Sequence, residues 1–270
     1  MQSFIADFRL ALLLLVRSRL WVTVTMLMIL VASAAWLASQ FSPRQPATVA
    51  LDVGLSFIRV LVPFVALLQV QDLLAREVER RLILNSLTYP RSRSSFIVAR
   101  YVAITAVSIV IILLLALVLN AVVITAGKGY GQATPVSLGV PYLITIFFVM
   151  LDIAVVLAFA TALSTIATTP NLVIFGGLGF MIAARSAATI VQLLERERDL
   201  VAGAQWYHQG LQGVQWAIPD LAALDVRAIA LYGKMEFMPH APWALVLMAL
   251  GYITLLLVIG CMRFERRQFA

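Results

Sequence analysis

The sequence predicts an all-α, polytopic membrane protein with six transmembrane helices, and three observations carry that prediction. Of 270 residues, 62% are hydrophobic and only 12% charged, against roughly half and roughly one quarter in a soluble domain. Mean hydropathy is +0.98. Several apolar stretches reach the ~20 residues needed to cross ~30 Å of hydrocarbon at ~1.5 Å per residue. A soluble globule is thereby excluded. The stretches are continuous and rich in Leu, Val, Ile and Ala, unlike the short alternating strands of a membrane β-barrel. A single cysteine, Cys261, rules out an intrachain disulfide.

Taken in order, the predicted spans are Leu20 to Ser39, Val53 to Val70, Ile97 to Thr125, Pro141 to Thr165, Asn171 to Leu194 and Ala241 to Met262. Turn chemistry separates them: Ser42-Pro43 with Pro46, Tyr89-Pro90, Gly127 to Gly131 with Pro135, and Thr169-Pro170. The whole chain, 1–270, reads as one transmembrane domain with three appendages: an interfacial helix over 1–19, a loop over 72–96 and a segment over 195–240. In the first of these, Phe4, Phe8, Leu12 and Leu15 share one face, with Ser3, Asp7 and Arg17 on the other side. Ala32-Ser33-Ala34 has the look of a peptidase site, but cleavage there leaves an odd number of spans, so a retained first span is expected.

The net charge of +7 is explained by where the cations sit. Arg9, Arg17 and Arg19 precede the first span, Arg76, Arg80, Arg81, Arg91, Arg93 and Arg100 follow the second, and Arg263, Arg266 and Arg267 follow the last. Short loops rich in Lys and Arg stay in the cytoplasm, which puts both termini and the 72–96 loop there. The loops with Arg44 and Lys128 then face outward, as does the 195–240 segment. With the charge accounted for as topology, nothing is left to argue for nucleic-acid binding.

The 72–96 loop is the most informative stretch. Asp72 with Arg76, and Glu77 with Arg80 and Arg81, have the acid-before-base spacing of an exposed helix. Leu74, Val78 and Leu82 form one ridge, while the other apolar residues are scattered among charges, a pattern suited to a protein socket or to a solvated connector. Tyr89-Pro90 ends the helix and Arg91-Ser-Arg93-Ser-Ser95 begins the next. This stretch resembles the membrane subunit of the type-2 ABC transporter permeases, the ABC-2 family. The family pattern runs approximately Glu-x-Glu-x-x-Thr-Leu-x-x-Leu-x-x-x-Pro-x-Ser-Arg. Here Glu77, Glu79, Pro90, Ser92 and Arg93 answer to it in register, Leu84 and Leu87 stand one position beyond its two leucines, and Arg81 and Ile83 depart from the residues usual there.

The resemblance implies a bacterial inner-membrane exporter subunit in which this helix is the coupling helix, seated on a separate ATPase. It makes Asp72, Arg76, Glu77, Glu79, Arg80, Arg81, Pro90 and Arg93 the ATPase-coupling residues. It also implies an ATPase dimer carrying ATP and Mg, a second permease protomer (a homodimer by default), and outer re-entrant helices before the last span. The chain itself is then no enzyme and binds no cofactor. In agreement, no Gly-x-x-x-x-Gly-Lys-Ser/Thr loop occurs, and Lys128 and Lys234 are the chain's two lysines.

The segment from Asp199 to His240 is too apolar for a free loop, and interfacial or re-entrant pieces are expected, or an amphipathic helix on the outer leaflet. Asp220 is placed to cap a helix from Leu221 to Tyr232, and Gly233 to end it. Within the spans, Arg59, Asp152 and Arg185 all fall roughly 10–16 Å from the outer ends by helical rise. Ionisable residues at such depth are costly. They form either an intramembrane ion pair around Asp152 or part of a translocation path, one cation being left over to attract an anionic group. Asp52 reads as a cap or interfacial charge. Gly176-Gly177-x-Gly179 suits close helix approach rather than phosphate binding. Met235, Met238 and His240 are too loosely spaced for a metal site, so none is expected, and no catalytic constellation is visible. Besides the transporter subunit, an ion-coupled carrier using the three buried charges stays open, as does an intramembrane enzyme built on Asp152.

Overall fold

A computed structural model of the chain describes residues 2–17, 20–75, 93–128, 135–196 and 219–266. These form eight α-helices without a strand: α1 (Gln2–Arg17), α2 (Leu20–Gln40), α3 (Pro46–Val70), α4 (Arg93–Gly127), α5 (Val140–Ile166), α6 (Pro170–Arg196), α7 (Arg227–Tyr232) and α8 (Pro242–Arg266). Six of them, α2 to α6 and α8, are long and apolar enough to span a bilayer, and the protein is a multi-pass membrane protein.

The spans agree with the sequence to within a few residues, except at the loops. α3 begins at Pro46, seven residues before the expected Val53. Proline is at home in a first helical turn, where its missing N–H leaves nothing unpaired, so Pro46 opens a helix and does not mark a loop. At the other end α3 runs on through a single π-helical turn, Gln71–Ala75, and α4 starts at Arg93. The loop between these spans is therefore shorter at both ends than 72–96.

The three helices α3, α4 and α5 form the centre of the bundle. α2 and α1 lie against α4, α6 lies against α5, and α8 closes over α5 and α4. In a bilayer close packing and hydrogen bonds hold helices together, with little hydrophobic drive between them. Gly54 of α3 leaves the space that the Leu119 side chain of α4 fills, and Gly177 of α6 does the same for Leu67. Gly260 lets α8 approach the α5 backbone at Ala162. Two tyrosines fasten α4 to α5 at different depths: Tyr101 Oη donates to the Ala154 carbonyl at 3.2 Å, and Tyr142 Oη to the Ala116 carbonyl at 2.8 Å. Phe159 stacks on Phe180, with ring centroids 4.0 Å apart, between α5 and α6.

α1 departs from its expected faces. Ala11 and Leu15 are buried against the bundle together with Asp7, while Ile5, Leu10, Leu13 and Leu14 are exposed. Asp7 thus belongs to the packed side and not to the polar one.

The stretch from Pro219 onward packs into the bundle. Leu221, Leu224, Val226, Ile229 and Ala230 are buried, and the Leu221 N–H donates to the Ala184 carbonyl in the middle of α6 at 3.2 Å. The Ser137 N–H donates to the Ala230 carbonyl at 2.9 Å, joining this segment to the α4–α5 connection. The long helix expected from Leu221 is absent. Asp220 Oδ1 instead accepts from the Ala222 and Ala223 N–H groups at 3.0 and 3.1 Å, which caps a turn, and α7 forms only from Arg227. Gly233 ends it as expected, in the left-handed conformation with φ 65°.

Candidate functional site

By helical rise Arg59 lies ~20 Å along α3, Asp152 ~18 Å along α5 and Arg185 ~16 Å from the end of α6. The packing of these three spans brings the side chains together. Asp152 Oδ2 accepts from Arg59 Nε at 3.1 Å and from Arg185 Nη2 at 2.6 Å. Arg185 Nη2 also donates to the Arg59 carbonyl at 3.0 Å. Asp152 is fully buried, with Arg59 and Arg185 side chains 13% and 17% exposed. Charges this deep persist when paired and hydrogen-bonded.

Arg59 is held on its far side by the segment that precedes α7. Its Nη2 donates to the Leu221 carbonyl at 2.8 Å and its Nη1 pairs with Asp225. Asp225 is shared with Arg227 Nε at 3.4 Å. Arg227 Nη1 in turn reaches Asp52 Oδ1 at 3.0 Å and Ser56 Oγ at 2.5 Å. The result is a continuous alternation: Arg185, Asp152, Arg59, Asp225, Arg227, Asp52. It runs from the bundle interior to a rim where Asp52 is half exposed. Three cations meet three carboxylates, so the left-over cation expected from the sequence is absent here: Asp225 neutralises it. Among the described residues, two buried atoms in the network find no hydrogen-bond partner, Asp152 Oδ1 and Arg185 Nε.

Asp225, Arg227, Asp52 and Ser56 were not singled out together by the sequence, although signals existed. Asp52, Ser56 and Arg59 are spaced by four and three residues and so share a face of an otherwise apolar helix. Asp52, seven positions into helical structure, is no cap. Asp225 and Arg227 interrupt an apolar run of Leu221, Leu224, Ile229 and Ala230. Gly176, like Gly177, accommodates a neighbour, the Leu163 side chain, whereas Gly179 has open space. Among the described residues no three His, Cys, Asp or Glu side chains group into a metal site.

Of the coupling residues, Asp72 is exposed on the π-helical turn and Arg93 is the first residue of α4. Arg76, Glu77, Glu79, Arg80, Arg81 and Pro90 lie outside the described residues. The base of that loop is tightly built. Buried Arg100 donates from Nε to the Leu73 carbonyl at 3.2 Å and lies over the Phe96 ring, 3.5 Å from its centroid. Phe96 stacks on Phe264 of α8 at 6.0 Å. Across the bundle, Gln71 Nε2 donates to Asn171 Oδ1 of α6 at 2.9 Å.

No curated protein matches the chain. A family model described as ABC-2 family transporter protein matches residues 12–269, a range that takes in all six spans, the ion network and the loop base. The resemblance first carried by the Glu77 to Arg93 stretch thus extends over nearly the whole sequence, and the chain belongs to the ABC-2 family of transporter proteins.

Proposed function

We propose that this ABC-2 permease is the transmembrane subunit of an ATP-driven exporter in a bacterial inner membrane, powered by a separate ATPase. The observation that carries this is the family match across residues 12–269. The lack of a phosphate-binding loop in the sequence supports assigning ATP and Mg to a partner dimer. The cation distribution supports cytoplasmic termini and a cytoplasmic loop between α3 and α4. In this reading that loop, with Asp72, Glu77, Glu79, Arg80 and Arg81, docks on the ATPase, and two permease protomers form a homodimer. Closure of the ATPase pair pushes on the loop. The push reaches α3 and α4 through the Leu73–Arg100 bond and α6 through the Gln71–Asn171 bond. Arg59, Asp152 and Arg185 lie on the path or brace it.

Purification of tagged protein from its native membrane, beside the Glu77→Ala/Glu79→Ala/Arg80→Ala variant, tests this. A roughly stoichiometric ATPase is expected with the intact chain and lost with the variant, whose permease stays folded. Absence of any ATPase under gentle crosslinking overturns the proposal.

A further inference from the structure

The inner part of the ion network is not neutral on its own. The spans α3, α5 and α6 contribute two cations, Arg59 and Arg185, and one carboxylate, Asp152. The balancing charge, Asp225, is carried in from the segment before α7. Asp52 does not substitute for it, because its contact is with Arg227 and it stands half exposed at the rim, where water screens it. Without Asp225 the inner cluster holds one unmatched positive charge among buried apolar side chains such as Ile58 and Val62, an arrangement that low-dielectric surroundings disfavour.

The cluster also has unused donor capacity. Among the described residues, Arg185 bonds through Nη2, and its Nε finds no partner. A guanidinium meets an oxyanion best with two parallel N–H groups. Arg59, for its part, spends two nitrogens on the segment that precedes α7, one on Asp225 and one on the Leu221 carbonyl, and both fall free together if the segment moves. Among the described residues few polar contacts hold that segment: these two, the Leu221 to Ala184 and Ser137 to Ala230 hydrogen bonds, and Arg227 at the rim.

We propose that Arg59 and Arg185 form an oxyanion-binding site inside the bundle, occupied here by the Asp225 carboxylate and, once the 219–232 segment withdraws, by the phosphate or carboxylate head of an amphiphile. Asp225 is then an internal stand-in for the ligand. The site takes an anionic amphiphile because a single net positive charge stands beside buried apolar residues of α3, Ile58 and Val62 among them. Naming that amphiphile as cargo rests on the transporter reading; the binding itself does not.

The test uses the full-length permease without any ATPase, released from vesicles of equal phosphatidylglycerol and phosphatidylcholine, with bound lipid read by native mass spectrometry. Asp225→Asn is expected to raise retained phosphatidylglycerol roughly tenfold, since a site closed by its own carboxylate binds only during the fraction of time it is open. Phosphatidylcholine retention stays unchanged. Adding Arg59→Gln to Asp225→Asn removes the gain, and Arg59→Lys keeps part of it. Asp225→Ser reproduces the effect if charge and not folding is responsible, and the size-exclusion profile of each variant checks folding. Competition by inorganic phosphate identifies a free oxyanion as the natural occupant; no competition identifies a lipid-like headgroup. Equal retention by the wild type and both Asp225 variants, or a gain that survives Arg59→Gln, overturns the proposal. Because no ATPase is present, that failure leaves the transporter reading standing, and failure to recover an ATPase leaves this site standing.

Discussion

Asp152 accepts two arginine donors through one oxygen while fully buried, so each neighbour depends on it. Removing one partner of a buried ion pair costs about 3–5 kcal/mol, because a charge is left uncompensated. Asp152→Asn is expected to lower the thermal stability of the detergent-solubilised protein accordingly. Asp152→Leu with Arg185→Met should lose less than the sum of the two single changes, as a double-mutant cycle on thermal unfolding will show. The three residues of this cluster were legible in the sequence as charges at similar depth in separate spans. Their partners Asp225 and Arg227 were not, because on a long segment a charge is read first as solvated. Only the buried neighbours Leu221, Leu224 and Ile229 reveal that this one lies within protein.

Helix contacts in this bundle turn on single glycines and on one arginine. A side chain at Gly54 meets Leu119, and overpacking of this kind costs about 1–3 kcal/mol. Gly54→Val should therefore destabilise the protein, and Leu119→Ala should restore part of the loss, both read by thermal unfolding. At the loop base, Arg100→Met removes the bond to the Leu73 carbonyl and the charge over Phe96. The π-helical turn Gln71–Ala75 should then exchange its amide hydrogens faster, while α5 keeps its protection. The existence of the six spans was readable, since runs of ~20 apolar residues have few alternatives in a membrane protein, whereas the helix expected from Leu221 forms only from Arg227. Element ends were less so. Pro46 serves equally as a loop signal and as a first-turn residue, and the amphipathic rule for α1 did not foresee that Asp7 would sit on its packed side.

For the molecule as a whole, sidedness is the property that charge placement predicts most directly. In a Cys261→Ser background, Lys128→Cys should react with a membrane-impermeant maleimide added outside intact spheroplasts, and Gln268→Cys should react only after the membrane is opened. The reverse pattern would invert the topology. Burial is also unevenly shared among the spans. α2 presents Trp21, Met26, Ile29 and Trp36 outward and α8 presents Trp243, Leu247 and Val258, whereas α5 exposes no side chain between Phe148 and Thr165. To a reagent dissolved in the acyl chains, most of α5 does not exist. A carbene generated on a lipid tail should mark α2 and α8 along their length and α5 only at its two ends, at Val140, Leu143 and Phe147 and at Ile166. A span count made by labelling from the lipid side would thus come close to missing the helix that carries Asp152.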